Sequence, residues 1–307
     1  MKHQQLIIMG LKNGYLYDEN IAVYAGADFK LSNYAANYKD DLKNKKAGIR
    51  HLEKDKTTLY ELQRLMYATD NHSVLLIFQA MDAAGKDSTI SHVFSGMFPQ
   101  AGNVTSFKVP SALELDHDYL WRTQLSLPER GRMSIFNRSY YEEVLVTKVH
   151  PQIILNQRIP GIKDVAQLDA SFWDQRYESI RNHEKHLAQN GTVILKFFLN
   201  VSKEEQKKRF LDRIEKPEKN WKFNMGDLKE RALWNDYQNA YEKAIQETAA
   251  PNAPWFIIPA DRKWFMRAAV CKIIVEKLKE LNLTYPKLKP EEVLELQLAK
   301  DLLNADG

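Results

Sequence analysis

The sequence predicts an α/β protein in which helices cover both faces of a parallel sheet. Two observations predict it: short, unbroken apolar runs alternate along the chain with longer segments whose apolar residues recur at helical spacing. Strands buried on both faces are continuously apolar, and helices connect strands that run parallel. The 307 residues are enough for one large domain, and neither a repeat nor a Ser/Gly-rich linker divides them.

The strand candidates are five apolar runs. The run "SVLLIF" at 73–78 is short and rich in branched residues, which is typical of a buried parallel strand. Four further runs have the same character: 103–109, 133–137, 192–200 and 255–260. Helical spacing occupies the segments between and after them: 113–127, 140–149, 166–190, 203–215, 227–248 and 262–282.

The two ends of the chain are predicted to be helical additions to this core. Residues 1–72 hold helix-like segments, and the final amphipathic segment is entered through Pro290. We therefore expect an N-terminal helical extension over 1–72, a core over 73–283 and a helical tail over 284–307. The tail is expected to pack against the body or against a second subunit.

Composition indicates a soluble globular protein, with 44% hydrophobic and 27% charged residues. The net charge of +4 is too small to indicate a nucleic-acid partner, and no apolar run approaches the ~18 residues of a membrane helix. The first residues have too short an apolar stretch for a secretory signal, and the single cysteine, Cys271, lies in an apolar run. We expect a cytoplasmic protein without nucleic-acid or membrane partners.

The stretch "FQAMDAAGKDST" at 78–89 resembles the phosphate-binding pattern G-x-x-x-x-G-K-[ST] and departs from it twice. Ala80 replaces the first glycine, which is acceptable if the backbone there keeps φ negative. Gly85 allows a tight turn, and Lys86 can reach phosphate oxygens as a point charge. Consecutive backbone N–H groups at a helix N-terminus complete such a site. The predicted phosphate-binding residues are Ala84, Gly85, Lys86, Asp87 and Ser88.

The second departure, Asp87 in place of Ser or Thr, removes the hydroxyl that usually helps to hold Mg²⁺. Asp82 lies inside the loop, and a hard cation prefers carboxylate oxygen. Asp82 is therefore the predicted ligand of Mg²⁺, with Mn²⁺ as a possible substitute. The alternative is that "AAGKD" is only a turn between a strand and a helix.

A second candidate site residue follows the run at 133–137. Asn137 ends that predicted strand and Arg138 comes next, in the position from which an arginine can brace a transferring phosphoryl group. The alternative is a structural arginine paired with a neighbouring acid, Glu142 or Glu143.

Two further groups of cations have an open interpretation. Arg209 and Arg213 lie four apart on one face of the helix at 203–215, which indicates either a solvated helix or a lid, over about 203–231, that closes on a polyanion. Lys108 and Arg122 flank a strand end and are expected to face the cleft where open α/β sheets bind ligands. The histidines show no metal-binding constellation.

Taken together, these stretches resemble the polyphosphate kinase 2 family over about 73–283. The resemblance is carried by "FQAMDAAGKDSTI", "TSFKVPS", "HDYLWR", "IFNRSYYEEVLVTKVHP", "NGTVILKFFLNVSKEEQKKRF", "KNWKF", "DLKERALWNDYQNAYE" and "APWFIIPADRKWF". It implies a three-layer phosphate-loop kinase fold similar to thymidylate kinase. It also implies reversible, Mg²⁺-dependent phosphoryl transfer between inorganic polyphosphate and purine nucleotides (AMP, ADP, ATP, with GMP and GDP possible), by a homodimer or homotetramer.

The resemblance also implies roles for individual residues. Asp82 and Lys86 match the loop aspartate and lysine, Arg138 matches the arginine of the second motif, and Arg209 and Arg213 match lid cations that grip phosphates. Many members of the family have D-R-S where this chain has N-R-S, with Asn137. That departure resembles the class that phosphorylates both AMP and ADP, in which the residue matching Glu142 lies near the nucleotide. Asn137, Arg138 and Glu142 are thus the implied nucleotide-binding residues.

Two rival functions stay open. The first is an ATP-dependent nucleoside or nucleotide kinase of the same fold, and the second is a non-catalytic protein that binds polyphosphate. Because phosphoryl transfer needs positioning and cations rather than a protein nucleophile, we expect direct in-line transfer.

Overall fold

The computed structural model describes residues 21–39, 42 and 44–306. Their sheet has six strands in the order β1-β6-β5-β2-β4-β3, with β1 antiparallel to β6 and all other neighbours parallel. The strands are β1 (Ala22–Val23), β2 (Ser73–Ala80), β3 (Gly102–Ser106), β4 (Met133–Asn137), β5 (Thr192–Asn200) and β6 (Trp255–Pro259). The predicted parallel α/β fold is confirmed.

The α-helices that surround the sheet are numbered in chain order. They are α1 (Lys45–Thr69), α2 (Lys86–Val93), α3 (Ala112–Leu115), α4 (Trp121–Gln124), α5 (Val146–Val149), α6 (Ala170–Gln189), α7 (Lys203–Glu215), α8 (Met225–Ala232), α9 (Trp234–Thr248), α10 (Lys263–Lys279) and α11 (Pro290–Ala305). Short 3-10 helices join several of them, including Tyr140–Val144, Pro151–Gln157 and Pro217–Lys222.

Helices cover the sheet in two groups. One group packs α10 against α1 and α2, and the other packs α6 against β5 and α9. The central strands β2 and β5 are buried almost from end to end, as strands covered on both faces must be. This burial explains why both strands are continuous apolar runs in the sequence.

Three predicted helices are wrong as single units, each for a local reason. The segment 113–127 is broken between α3 and α4, where the Asp118 carboxylate accepts the Leu120 backbone N–H at 2.9 Å and forms a turn. The segment 140–149 starts as a 3-10 helix before α5, and the segment 227–248 is divided at Leu233 into α8 and α9.

The chain ends differ from the prediction in one respect. Part of the N-terminal segment is helical, as α1, but Ala22 and Val23 form strand β1 and pair with Phe256 and Trp255 of β6. The segment thus extends the sheet and is not a purely helical addition. The predicted tail helix is present as α11, and none of its residues is buried.

Candidate active site

The phosphate loop connects β2 to α2 and contains two residues in the left-handed backbone region. Ala80 still belongs to the strand, so its backbone is extended and no glycine is needed there. The positive φ values fall on Ala83, at 60°, and on Gly85, at 98°. Gly85 fits this conformation freely, whereas Ala83 is held in it against the steric preference of its Cβ.

Lys86 is directed to the end of β4. Its ammonium donates to Oδ1 of Asn137, and the amide nitrogen of Asn137 donates to Oδ1 of Asp87 at 2.9 Å and to Oγ of Ser106 at 3.2 Å. Burial lowers the pKa of Lys86, the nearby Arg138 lowers it further, and Asp87, Glu142 and Asp82 oppose the shift. Asn137 therefore orients the loop lysine.

Arg138 stands between two carboxylates at the carboxyl end of β4. Its guanidinium lies 3.5 Å from Oδ1 of Asp82 and 3.7 Å from Oε2 of Glu142, and its side chain is 44% exposed. Its φ of 64° is left-handed, and its backbone N–H donates to the Phe78 carbonyl at 3.1 Å. Arg138 thus pairs with Glu142 and also lines the cavity, and its role in phosphoryl transfer stays a prediction.

Glu142 and Glu143, although adjacent, face different surroundings. Burial raises the pKa of Glu142, while Arg138 and Lys86 oppose that shift; Glu142 in turn raises the pKa of Arg138. Glu143 is buried and accepts from Nη1 of Arg176 at 3.2 Å. Of the two glutamates, only Glu142 faces the cleft.

A cavity of about 360 Å³ opens beside the loop and Arg138. Its wall includes polar groups from the phosphate loop, from segment 138–152 and from helices α7, α8 and α9: Asp82, Arg138, Glu142, His150, Gln152, Gln206, Glu230, Arg231, Tyr237 and Tyr241. At the far side, Glu230 accepts from the Tyr237 hydroxyl at 2.6 Å and lies 2.8 Å from Nε2 of His150. The cavity wall therefore carries cationic and acidic groups both beside the loop and on α8, together with the hydroxyls of Tyr237 and Tyr241.

Comparison with known proteins places this geometry in a family. The family model described as polyphosphate kinase 2 (PPK2) matches residues 42–286. The chain belongs to the polyphosphate kinase 2 family. The resemblance carried by the motifs is thereby confirmed.

Two curated relatives and one solved structure give the scale of the similarity. An ADP-polyphosphate phosphotransferase of Rhodopseudomonas palustris is 54% identical over 246 residues, 80% of this chain and 84% of the relative. An AMP/ADP-polyphosphate phosphotransferase of Meiothermus ruber is 46% identical over 243 residues, 79% of this chain and 85% of the relative. The crystal structure of polyphosphate kinase 2 from Arthrobacter aurescens superposes with a TM-score of 0.84 at 35% identity, covering 94% of this chain and 99% of that chain.

The polyphosphate kinase 2 resemblance implied that Arg209 and Arg213 grip phosphates, and the structure gives Arg209 a different set of partners. Its guanidinium is buried and bonded to backbone carbonyls behind the phosphate loop. Arg213 is less buried and pairs with Asp227 of α8 at 3.4 Å. In this arrangement Arg213 joins two helices of the predicted lid.

Arg122, near β3, also has partners away from the cavity. Nη1 of Arg122 donates to the Lys108 carbonyl at 2.9 Å, lies 3.7 Å from Glu114 and is stacked over Phe107. This placement differs from the prediction that Arg122 faces the cleft, because the salt bridge and the ring hold it against its own loop. The Lys108 side chain is exposed.

Several residues at this polyphosphate kinase 2 site were not found from the sequence. Gln206 donates to the Asp82 carbonyl at 2.8 Å, and Arg267 of α10 donates to Oγ of Ser88 at 2.7 Å. The signal for Gln206 was available, since it lies three residues before Arg209 on the same helix face. His150 and Glu230 are eighty positions apart, and no local pattern predicts that they meet.

Carboxylate oxygens are the metal-binding groups that this site offers. Within the described part of the chain, no group of three or more His, Cys, Asp or Glu side chains is arranged to hold a metal ion. Asp82 is 35% exposed at the cavity wall, and Mg²⁺ commonly takes one or two carboxylates together with water and substrate phosphates. The donor set therefore fits a magnesium ion that substrate phosphates help to hold.

No helix among the described residues is long and apolar enough to cross a membrane.

Proposed function

We propose that this protein transfers a phosphoryl group from inorganic polyphosphate to AMP and ADP, reversibly and with Mg²⁺. The observation that carries the proposal is the position of Arg138, beside the phosphate loop at the wall of a cavity and 3.5–3.7 Å from two carboxylates. Two phosphate chains repel each other, so a cation at the point of transfer is the first requirement of this chemistry.

The residues divide the work of in-line transfer. Backbone N–H groups of 84–88 and the Lys86 ammonium hold phosphate oxygens on the loop side. Arg138 lies between that side and the cavity and neutralises charge as the phosphoryl group moves. The bond from phosphorus to the bridging oxygen of the donor breaks while the acceptor phosphate oxygen bonds to phosphorus, so no phosphoenzyme forms.

Asp82 is the proposed carboxylate ligand of Mg²⁺, and Mn²⁺ should substitute for it. When bound, the ion supplies charge neutralisation at the phosphates. Asp82 also lies 3.5 Å from the Arg138 guanidinium, so the carboxylate that would hold the ion also orients this cation. Asn137 acts through Lys86 and is a positioning residue rather than a metal ligand.

The choice between AMP and ADP is the finer part of the proposal. Of the two relatives described above, one is named for ADP alone and the other for AMP and ADP. The N-R-S sequence and Glu142 favour both acceptors, because the resemblance associates that motif with the broader class. ADP is longer than AMP by one phosphate, so the terminal phosphates of the two acceptors would lie at different distances from Glu142 and Arg138.

Product analysis tests the proposal directly. Polyphosphate and Mg²⁺ are incubated with AMP, ADP, GMP or GDP in the absence of ATP, and the nucleotides are separated by chromatography. We expect ADP and ATP from AMP and ATP from ADP. Turnover only when ATP is the donor would favour the ATP-dependent kinase, and binding of polyphosphate without turnover would favour the non-catalytic protein. A labelled protein after incubation with radioactive polyphosphate alone would exclude in-line transfer.

We also propose that the protein assembles from identical subunits in the cytoplasm, where AMP and ADP are present. The exposed helix α11 supports assembly, since Leu294, Leu298, Leu302 and Leu303 are all more than half exposed. Segment 289–306 carries two lysines against five carboxylates, whereas the whole chain is net positive, so it suits the body of a second copy. Light scattering should show an oligomer for the full chain and a smaller species for a chain ending at residue 288; equal masses would contradict this.

A further inference from the structure

Arg209 lies behind the phosphate loop, on α7, with all of its donors occupied. Nε donates to Oε1 of Glu205 at 2.9 Å, Nη1 donates to the carbonyls of Ala84 at 2.6 Å and Ala83 at 3.2 Å, and Nη2 donates to those of Ala260 at 2.6 Å and Asp261 at 3.3 Å. Arginine has five N–H groups, so none is left for a phosphate oxygen. The residue is only 7% exposed.

The carbonyls that Arg209 binds belong to the most constrained part of the loop. Ala83 has a φ of 60°, and a residue with a Cβ adopts that conformation only when its surroundings hold it there. In a loop that alternates right-handed and left-handed residues, successive N–H groups point to one side and form an anion-binding concavity. Holding the carbonyls from behind therefore keeps the N–H groups directed at the substrate.

Gln206 extends the same arrangement by one residue. Its amide nitrogen donates to the Asp82 carbonyl at 2.8 Å, and its oxygen accepts from Arg231 of α8 at 2.6 Å. Three successive loop carbonyls, those of 82, 83 and 84, thus accept hydrogen bonds from one face of α7. Gln206 is 1% exposed, so water cannot replace these bonds without the helix moving away.

We propose that Arg209 and Gln206 are positioning residues that fix the phosphate loop from behind, and that Arg209 does not itself contact phosphate. The proposal rests on the proposed function, since it concerns the loop that would bind polyphosphate. It also divides α7 into two parts. The half up to Arg209 belongs to the core, and the movable part of the predicted lid begins beyond it, where Arg213 pairs with Asp227.

The first test is the exchange of Arg209 for lysine. Arg209→Lys keeps the charge but offers three donors from one atom, which cannot reach five acceptors. We expect kcat with polyphosphate and ADP to fall roughly 100-fold, the effect of a small misplacement of reacting groups. KM for ADP should change less than about twofold, as its contacts lie elsewhere. Arg64→Lys, at an exposed position of α1, is the matched control and should keep wild-type kinetics.

Two readouts separate positioning from phosphate binding. Amide hydrogen exchange of the segment 81–88, measured without any substrate, should be faster in Arg209→Lys than in the wild type and the control. The salt dependence of KM for polyphosphate should stay as in the wild type, because no phosphate contact is lost. Guanidinium added to Arg209→Ala should restore part of kcat, and methylammonium should not.

The outcomes are distinguishable from failure of the proposed function. If the wild type shows no polyphosphate-dependent turnover, the function fails, but loop exchange still tests the positioning role. Two results would overturn the positioning role. The first is amide hydrogen exchange of segment 81–88 at the wild-type rate in Arg209→Lys. The second is a weaker salt dependence of KM for polyphosphate while that exchange rate is unchanged. If the Arg209 variants do not fold, Gln206→Leu gives the same test, with a tenfold lower kcat and faster loop exchange expected.

Discussion

Two clusters of polar and charged side chains each include residues of the short segment 138–144, and they differ in burial and in the length of their contacts. On the cavity side, Arg138 lies 3.5 and 3.7 Å from Asp82 and Glu142 and is almost half exposed. On the sheet side, Lys196 of β5 is fully buried, and its ammonium donates to Glu184 at 2.7 Å and to the Thr248 carbonyl at 2.8 Å.

The buried cluster is also closed by aromatic hydroxyls. Tyr140 and Tyr141 both donate to Oε1 of Glu184, at 2.9 and 2.7 Å, and Lys196 donates to the Tyr141 hydroxyl at 2.9 Å. Burial raises the pKa values of both tyrosines and lowers that of Lys196.

This contrast indicates which charges are available to a ligand. In the buried cluster, contacts are short and water is excluded, so its charges are committed to holding the backbone. In the cavity cluster, contacts are long and the side chains are partly exposed to solvent, so a phosphate can replace these contacts at small cost. The hydrogen bonds of Tyr140 and Tyr141 hold the backbone of segment 138–144 in place, and this backbone positions Arg138 and Glu142 at the cavity wall.

Removal of the Lys196 charge from the buried cluster should have the strongest consequence. Lys196→Met leaves the Glu184 carboxylate buried without its cation, and we expect the free energy of unfolding to fall by about 3–5 kcal/mol. Urea denaturation followed by tryptophan fluorescence measures it. Lys196→Met with Glu184→Leu should recover much of the loss, since neither charge is then left unpaired. A single variant as stable as the wild type would show that the cluster does not hold the fold.

Asp82→Asn tests the cavity cluster. It should lower turnover and leave stability nearly unchanged, whereas Lys196→Met should lower stability. We expect kcat to fall roughly 10²–10³-fold, because the carboxylate proposed for Mg²⁺ and for Arg138 is neutralised. The free energy of unfolding should stay within about 0.5 kcal/mol, as for other exposed substitutions. Asp301→Asn on exposed α11 is the control. Full activity of Asp82→Asn would remove Asp82 from the mechanism.

Arg138→Lys should have a smaller effect than the loss of Asp82. A lysine keeps one positive charge but cannot lie against two carboxylates and a phosphate together. We expect kcat to fall roughly tenfold to 100-fold with both AMP and ADP, with little change in stability. Loss of stability without loss of turnover would mean that Arg138 resembles Lys196 and serves the fold.

Much of the fold was predictable because apolar runs report burial directly. Strands β4 and β5 and helix α7 occupy the residues that the sequence indicated, 133–137, 192–200 and 203–215. Strand β1 was missed because two residues at a sheet edge carry no periodic signal. The 3-10 helix at 140–144 was missed because Ser139, Tyr140 and Tyr141 have partners distant in sequence.

The site was only partly predictable, for a related reason. Residue type and loop spacing brought Asp82, Lys86 and Arg138 together correctly as neighbours, since carboxyl ends of parallel strands meet at one edge. Helical spacing placed Arg209 and Arg213 on one face of α7, but it carries no information on what lies opposite that face. Only the packing of α7 against the loop shows that Arg209 is enclosed.

The weakest of the predicted changes is the pH dependence that Glu142 adds to stability. Burial raises its pKa above the ordinary 4.5, so on titration upward the unfolded chain releases this proton before the folded chain does. The folded state then binds more protons, and stability falls as the pH rises from about 4.5 to the folded pKa. Glu142→Gln lacks this titration, so its free energy of unfolding, measured without ligands, should rise relative to the wild type across that window. The difference should be about 1.4 kcal/mol per unit of pKa separation and constant at higher pH.

Glu295→Gln on exposed α11 is the control, and its free energy of unfolding should change with pH as that of the wild type does. If the free energy of unfolding of Glu142→Gln instead falls relative to the wild type across that window, Arg138, and not burial, dominates the ionisation of this carboxyl.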